Sequence, residues 1–98
     1  MKTIQAQEVQ EKLEAGEALK IIDVREVDEV EEGHIPGITN IPLGLLEFKM
    51  NELDKKESYI MVCRSGGRSS QATAFLESQG FDVTNMAGGM LAWNGEVK

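Results

Sequence analysis

The apolar run Tyr59-Ile60-Met61-Val62 leads directly into Cys63, Arg64, Ser65, Gly66, Gly67, Arg68 and Ser69. Those seven residues hold the only cysteine of the chain, two of its three arginines and a pair of glycines. The pattern is that of a nucleophile in an anion cradle. A thiol at the tip of a strand is followed by a loop that must curl tightly, and Gly66 and Gly67 can take positive φ at little steric cost. In such a curl successive backbone N–H groups can converge on one sulfur or one anion. A helical pattern starts at Ser69, so the positive end of that helix adds to the same site and favours thiolate over thiol.

The charge around this loop is unlike that of the rest of the chain. Lys and Arg total 10 against 17 Asp and Glu, for a net charge of −7, which argues against nucleic acid or an anionic membrane as the partner. Between Tyr59 and Leu76, however, there is no acidic residue, while Arg64 and Arg68 fall inside that window. A cationic spot on an acidic protein should draw small anions. A lone cysteine excludes both an internal disulfide and a two-cysteine redox motif. Any covalent adduct on Cys63 must therefore be resolved by a second molecule.

Asp23 and Arg25 directly follow a short apolar run and are read as a pair or as anchors for neighbouring loops. His34 is the only histidine. It is flanked by Gly33 and by Ile35-Pro36, and its expected role is a hydrogen bond to loop backbone. It has no companion residues that would complete a metal site, so no metal and no other cofactor is expected. Gly88-Gly89 lacks the Lys-Ser/Thr of a phosphate loop and is read as a point of close backbone packing.

These residues need elements to hold them. Residues 7–15 have Val9 and Leu13 four apart and Gly16 as a stop, which predicts an amphipathic helix. Residues 20–24 predict a buried strand, residues 26–32 a short acidic helix closing at Gly33, and residues 38–41 a short strand broken by Pro42. Residues 43–53 carry Leu45, Leu46, Phe48 and Met50 at helical spacing, read as one or two short helices with a core-facing stripe. Residues 58–62 predict a strand. Residues 69–79 predict a helix with Ala72, Phe75 and Leu76 inside and Gly80 as its stop. Residues 81–86 predict a last strand, and Gly88-Gly89 opens a terminal turn that carries Leu91, Ala92 and Trp93, with Trp93, Phe75 and Phe81 in the core. Strands alternating with helices imply an α/β sandwich with a largely parallel sheet, whose ligands bind beyond the C-terminal strand ends. Asp23, Arg25 and Cys63 all fall at such ends. Ninety-eight residues suffice for a single domain over residues 1–98. No apolar leader follows Met1-Lys2 and no stretch reaches the roughly 20 apolar residues that span a bilayer, so the chain reads as cytoplasmic and independent of membranes.

Taken in order, Asp23-Val24-Arg25, Gly33-His34-Ile35-Pro36-Gly37 with Asn40-Ile41-Pro42, the Cys63 to Ser69 loop, Gly80-Phe81 and Gly88-Gly89-Met90-Leu91-Ala92-Trp93 resemble the signature of a single-domain rhodanese. The resemblance spans nearly the whole chain. It departs at Val30, where an aromatic is common, and at Ile38, where a small residue is common. What it implies is an α/β three-layer sandwich with a five-stranded sheet, thiosulfate sulfurtransferase-like activity, and a persulfide on Cys63 as the covalent intermediate. On this reading Arg64 and Arg68 steer a small anionic donor such as thiosulfate and stabilise the leaving sulfite, while Ser65, Gly66, Gly67 and Ser69 act through backbone amides. The acceptor would be cyanide, a thiol or a thioredoxin-like dithiol. A sulfur-relay module with little thiosulfate activity uses the same residues. A cysteine-dependent phosphatase or arsenate reductase is disfavoured because four residues separate Cys63 from Arg68, where tyrosine-phosphatase-like cradles place five. A non-catalytic docking domain is disfavoured because the nucleophile is present.

Overall fold

Ile21-Ile22 and Ile60-Met61-Val62 are apolar runs too short for a helix face and rich in β-branched residues, the pattern of strands buried on both sides. The computed structural model, which describes residues 1–98, places both at the centre of a five-stranded sheet in the order β1-β5-β4-β2-β3. The strands are β1 (Lys2–Gln5), β2 (Lys20–Asp23), β3 (Thr39–Asn40), β4 (Ser58–Val62) and β5 (Asp82–Ala87), and every neighbouring pair is parallel. The helices are α1 (Ala6–Glu14), α2 (Val27–Glu32), α3 (Leu46–Lys49) and α4 (Gly67–Ser78). Three 3-10 turns, Leu43–Leu45, Met50–Glu52 and Gly89–Ala92, complete the chain.

Successive strand residues feed opposite faces, and two cores result. Ile22, Met61, Cys63 and Val83 join Leu46, Ala72 and Leu76 on one face, whereas Ile21, Val62 and Met86 join Ala6, Val9 and Ile35 on the other. A parallel sheet covered on both sides is the expected outcome of strands joined by crossover helices. Register then aligns the functional ends: Asp23 of β2 lies beside Val62 of β4, so Arg25 and Cys63 emerge on the same edge.

The structure departs from the sequence reading in several places. Lys2–Gln5 is a strand that periodicity did not single out: it is an edge strand of largely exposed residues, held by register with Thr84 to Ala87 and by an ion pair of Lys2 with Asp82. Residues 43–52 wind as a 3-10 turn, a single α turn and a second 3-10 turn. That break in the 3.6-residue period buries Leu46 at 1 % exposure and turns Leu45 and Phe48 outward at 45 % and 83 %. Phe75 and Trp93 are partly buried against the two cores rather than within them. No helix is long and apolar enough to cross a membrane.

Candidate active site

The loop after β4 curls as its composition dictates, with one difference. Gly66 alone takes the left-handed conformation, φ 108°, and serves as the N-cap of α4. Gly67 is already the first residue of that helix, and a Cβ there would meet no atom within 4 Å. The reversal at Gly66 folds its N–H back onto Cys63, 3.0 Å from Sγ. The Ser69 hydroxyl, one turn into the helix, lies 3.3 Å from Sγ and 3.3 Å from the carbonyl of Gly66.

Cys63 is 1 % exposed. Burial alone pushes its thiol up, but the Ser69 hydroxyl and the backbone N–H groups of Ser69, Gly66 and Ser65 act against it, and the net result is a thiol more acidic than an ordinary cysteine. The hydroxyl can serve both protonation states. Against the thiol it accepts from S–H and donates to Gly66; against the thiolate it turns its proton to sulfur. The sulfur is thus the acceptor at the focus of a strand tip, a left-handed glycine and a helix N-terminus.

The loop is held from behind by the turn after β5. Met90 donates its N–H to the carbonyl of Cys63 at 2.8 Å, and Leu91 donates to the carbonyl of Arg64 at 2.9 Å. With those carbonyls drawn outward, the following N–H groups are free to face the sulfur. Such an approach requires glycine at position 89, because a Cβ there would lie 2.5 Å from the carbonyl oxygen of Cys63. Close packing is thus what the Gly88-Gly89 pair provides.

Two of the three arginines at this edge are taken by carboxylates. Asp23, fully buried, accepts Nε and Nη2 of Arg25, the Nη2 to Oδ2 distance being 2.8 Å. The same guanidinium donates to the backbone carbonyls of Glu29 at 3.3 Å and Gly33 at 2.8 Å, which ties α2 to the end of β2. Arg68 makes a two-pronged pair with Glu29, Nη1 to Oε1 at 2.6 Å and Nη2 to Oε2 at 2.8 Å. The sequence presents Arg68 as a free cation for an anionic donor; the structure instead pairs it with a carboxylate of α2. Arg64 is exposed and takes part in none of the four ion pairs.

His34 stands apart from the loop. Its Nδ1 is 2.9 Å from the carbonyl of Val30, so the proton belongs on Nδ1, and its backbone pairs in both directions with Lys98. No group of three His, Cys, Asp or Glu side chains is placed to hold a metal ion. Two clefts, of about 380 and 390 Å³, are lined by Gln10, Pro36 and Trp93 in one case and by Ile22, Thr39 and Tyr59 in the other, and neither includes a residue of the loop. Chemistry rather than concavity marks the site.

Residues 5–96 match the family model described as the rhodanese-like domain. The chain belongs to the rhodanese-like family. YtwF of Bacillus subtilis, assigned as a sulfurtransferase, is 47 % identical over 98 residues, which cover 100 % of this chain and 95 % of that protein. YrkF of the same organism, assigned as a sulfur carrier protein, is 42 % identical over 89 residues, covering 90 % of this chain and 48 % of that longer protein. Among solved structures, a rhodanese-like domain protein of Staphylococcus aureus superposes with a TM-score of 0.94 at 36 % identity, over 100 % of this chain and 97 % of that one.

Two contributors to this rhodanese-like site escaped the reading of the sequence by residue type. Glu29 looked like one acid among many in a solvated helix, although its spacing from Glu26 foreshadowed the hydrogen bond that its Oε1 accepts from the Glu26 N–H at 3.0 Å. Asn40, on the edge strand β3, donates from Nδ2 to the carbonyls of Asp23 at 2.9 Å and Arg25 at 3.0 Å. It thereby fixes the turn that carries Arg25.

Proposed function

We propose that this protein is a sulfurtransferase that carries a sulfane sulfur on Cys63 as a persulfide and passes it to a thiophilic acceptor. The observation that carries this reading is the convergence of the Gly66 N–H and the Ser69 hydroxyl on Sγ at 3.0 and 3.3 Å, which holds a buried thiol toward its thiolate form. With thiosulfate as donor, the Cys63 thiolate attacks the outer sulfur. A new S–S bond forms on Cys63 as the S–S bond of thiosulfate breaks, and sulfite leaves with the electron pair. An acceptor such as cyanide or a thiol then attacks the terminal sulfur and returns the thiolate. The N–H groups of the loop hold charge on the terminal sulfur while it waits, and Arg64 meets the departing anion.

The names of the relatives support both a transferase and a carrier, and the two roles differ in donor. A relay module accepts sulfur from a protein partner and uses thiosulfate poorly. Intact-protein mass spectrometry of the reduced protein, after brief exposure to thiosulfate and then to cyanide, tests the cycle. The expected result is a gain of one sulfur atom that cyanide removes as thiocyanate and that Cys63→Ser abolishes. If the wild-type thiol reacts with an alkylating agent yet gains no sulfur from thiosulfate or from a persulfide, sulfur transfer is the wrong activity.

A further inference from the structure

The charge balance of the loop points to a particular class of donor. Arg68 would be the natural second cation for a dianion, but each of its terminal nitrogens gives a hydrogen bond to Glu29, whose negative charge compensates the guanidinium at contact distance. Glu29 is itself fixed from two further sides. Its Oε1 accepts the Glu26 N–H at 3.0 Å and its backbone carbonyl accepts Nη1 of Arg25 at 3.3 Å. The Arg68 guanidinium and the Glu26 N–H hold its carboxyl down to about 2, so it stays charged through any assay range. An ion facing Cys63 therefore meets Arg68 as one end of a dipole, whose pull fades with distance faster than that of a bare cation. Arg64 is left as the one uncompensated arginine of the loop.

Sulfur donors differ in what they ask of such a site. Thiosulfate arrives with two negative charges and releases sulfite with two. A persulfide, R–S–SH, brings at most one negative charge at its sulfur pair: the Cys63 thiolate attacks the outer sulfur, the Cys63 S–S bond forms as the R–S–S bond breaks, and R–S⁻ leaves with the electron pair while the hydrogen stays on the transferred sulfur. No oxidant or reductant enters. Resting on the sulfur-transfer reading above, we propose that Glu29 is the specificity-determining residue of this site: by compensating Arg68 it disfavours dianionic donors and biases Cys63 toward sulfane sulfur carried on a thiol. Glu29 acts through Arg68 and is a positioning residue, not a catalytic one.

Rapid-quench mass spectrometry of sulfur loading on Cys63, with thiosulfate and with cysteine persulfide as probes, tests this in the wild type, Glu29→Gln and Glu29→Asp. The glutamine keeps an acceptor for the Glu26 N–H and for Nη1 of Arg68, and it removes the charge together with the acceptor that faces Nη2. The expected result is a thiosulfate-to-persulfide rate ratio raised about tenfold in Glu29→Gln, with a steeper fall of the thiosulfate rate in added salt, and a near wild-type ratio in Glu29→Asp. A merely structural role would lower both rates together and leave the ratio and salt dependence where they were; that result, or a lower ratio, overturns the proposal. Should Glu29→Gln fail to fold, the wild type decides: a shallow salt dependence of thiosulfate loading supports a single uncompensated cation, and a steep one overturns it. Loading of the wild type by neither donor, with the thiol still open to alkylation, is a different failure, since it removes the sulfur-transfer reading itself and this inference with it.

Discussion

Gly89 packs against Cys63 so closely that a methyl group on it would lie 2.5 Å from the carbonyl oxygen of Cys63 and 2.6 Å from the carbonyl carbon of Arg64. The contact couples the last turn of the chain to the reactive loop. Because the N–H groups of Met90 and Leu91 occupy the carbonyls of Cys63 and Arg64, the first two after β4, the loop is shaped from behind by residues that never touch the sulfur.

Gly89→Ala therefore tests how rigid that floor is. The clash is with backbone, which cannot swing aside as a side chain can, and φ at Gly89 is +57°, a left-handed value that costs alanine further. The expected loss is about 1–3 kcal/mol of stability, read as a lower urea midpoint, together with slower alkylation of Cys63. Gly67→Ala, where a Cβ meets nothing, is the matched control. Equal midpoints for the two variants would mean that the turn yields freely.

The buried pair of Asp23 and Arg25 gives a second prediction. Asp23 has no exposed surface and spends both carboxylate oxygens on Arg25. Arg25→Ala strands that charge and also frees the carbonyls of Glu29 and Gly33. The expected destabilisation is about 3–5 kcal/mol in denaturant unfolding, because an unpaired buried carboxylate is much worse than no carboxylate at all. Asp23→Leu combined with Arg25→Met should recover part of it, and a double variant no better than Arg25→Ala would show that the carbonyl contacts dominate.

How much of this was legible in the sequence follows from the range of each interaction. The alternation of short apolar runs with helical patterns announced the α/β sandwich, and the resemblance supplied its five-stranded sheet. The glycines of the loop announced a tight curl, because backbone permissiveness is a local property. What stayed hidden was pairing across the chain. Arg68 and Glu29 are 39 residues apart, and nothing in a run of acids at residues 26–32 says which one faces the loop. The edge strand Lys2–Gln5 was hidden for a related reason: its residues are polar and mostly exposed, and only register with β5 makes them a strand. Leu45 and Phe48 misled because 3-10 turns replaced the regular helix that would have buried them.

Glu29 also carries a pH dependence of stability with a definite sign. Its carboxyl titrates at about 2 in the folded protein against 4.5 ordinarily, the Arg68 pair being the largest cause and the Glu26 N–H the next. A depressed folded value means the stabilisation is complete above pH 4.5 and is lost as pH falls toward 2. The unfolding free energy from urea titrations across this window should fall with acid at up to about 1.4 kcal/mol per pH unit from this group, and Glu29→Gln should flatten that part of the fall. Asp82, lowered by Lys2 and Ser58, adds a smaller decline that the substitution leaves in place. An acid profile identical in wild type and Glu29→Gln would show the pair to be too exposed to matter.

The last prediction concerns the thiol. Among the groups that lower the Cys63 pKa against the opposing effect of burial, the Ser69 hydroxyl comes first, ahead of the N–H groups of Ser69, Gly66 and Ser65. Ser69→Ala removes that donor, leaves the amides in place, and takes only an oxygen from a residue with no exposed surface. The thiol pKa should rise, so at neutral pH the thiolate fraction falls about tenfold for each unit gained. Alkylation of Cys63 by iodoacetamide, followed as a function of pH, reads this directly: the curve should shift to higher pH while its alkaline plateau stays level or rises slightly, since a more basic thiolate is the better nucleophile. Ser69→Thr, which keeps the hydroxyl, should restore the lower midpoint if the extra methyl fits. A curve for Ser69→Ala that overlays the wild type would transfer the whole effect to the backbone amides, and the loop would then hold its thiolate without any side chain.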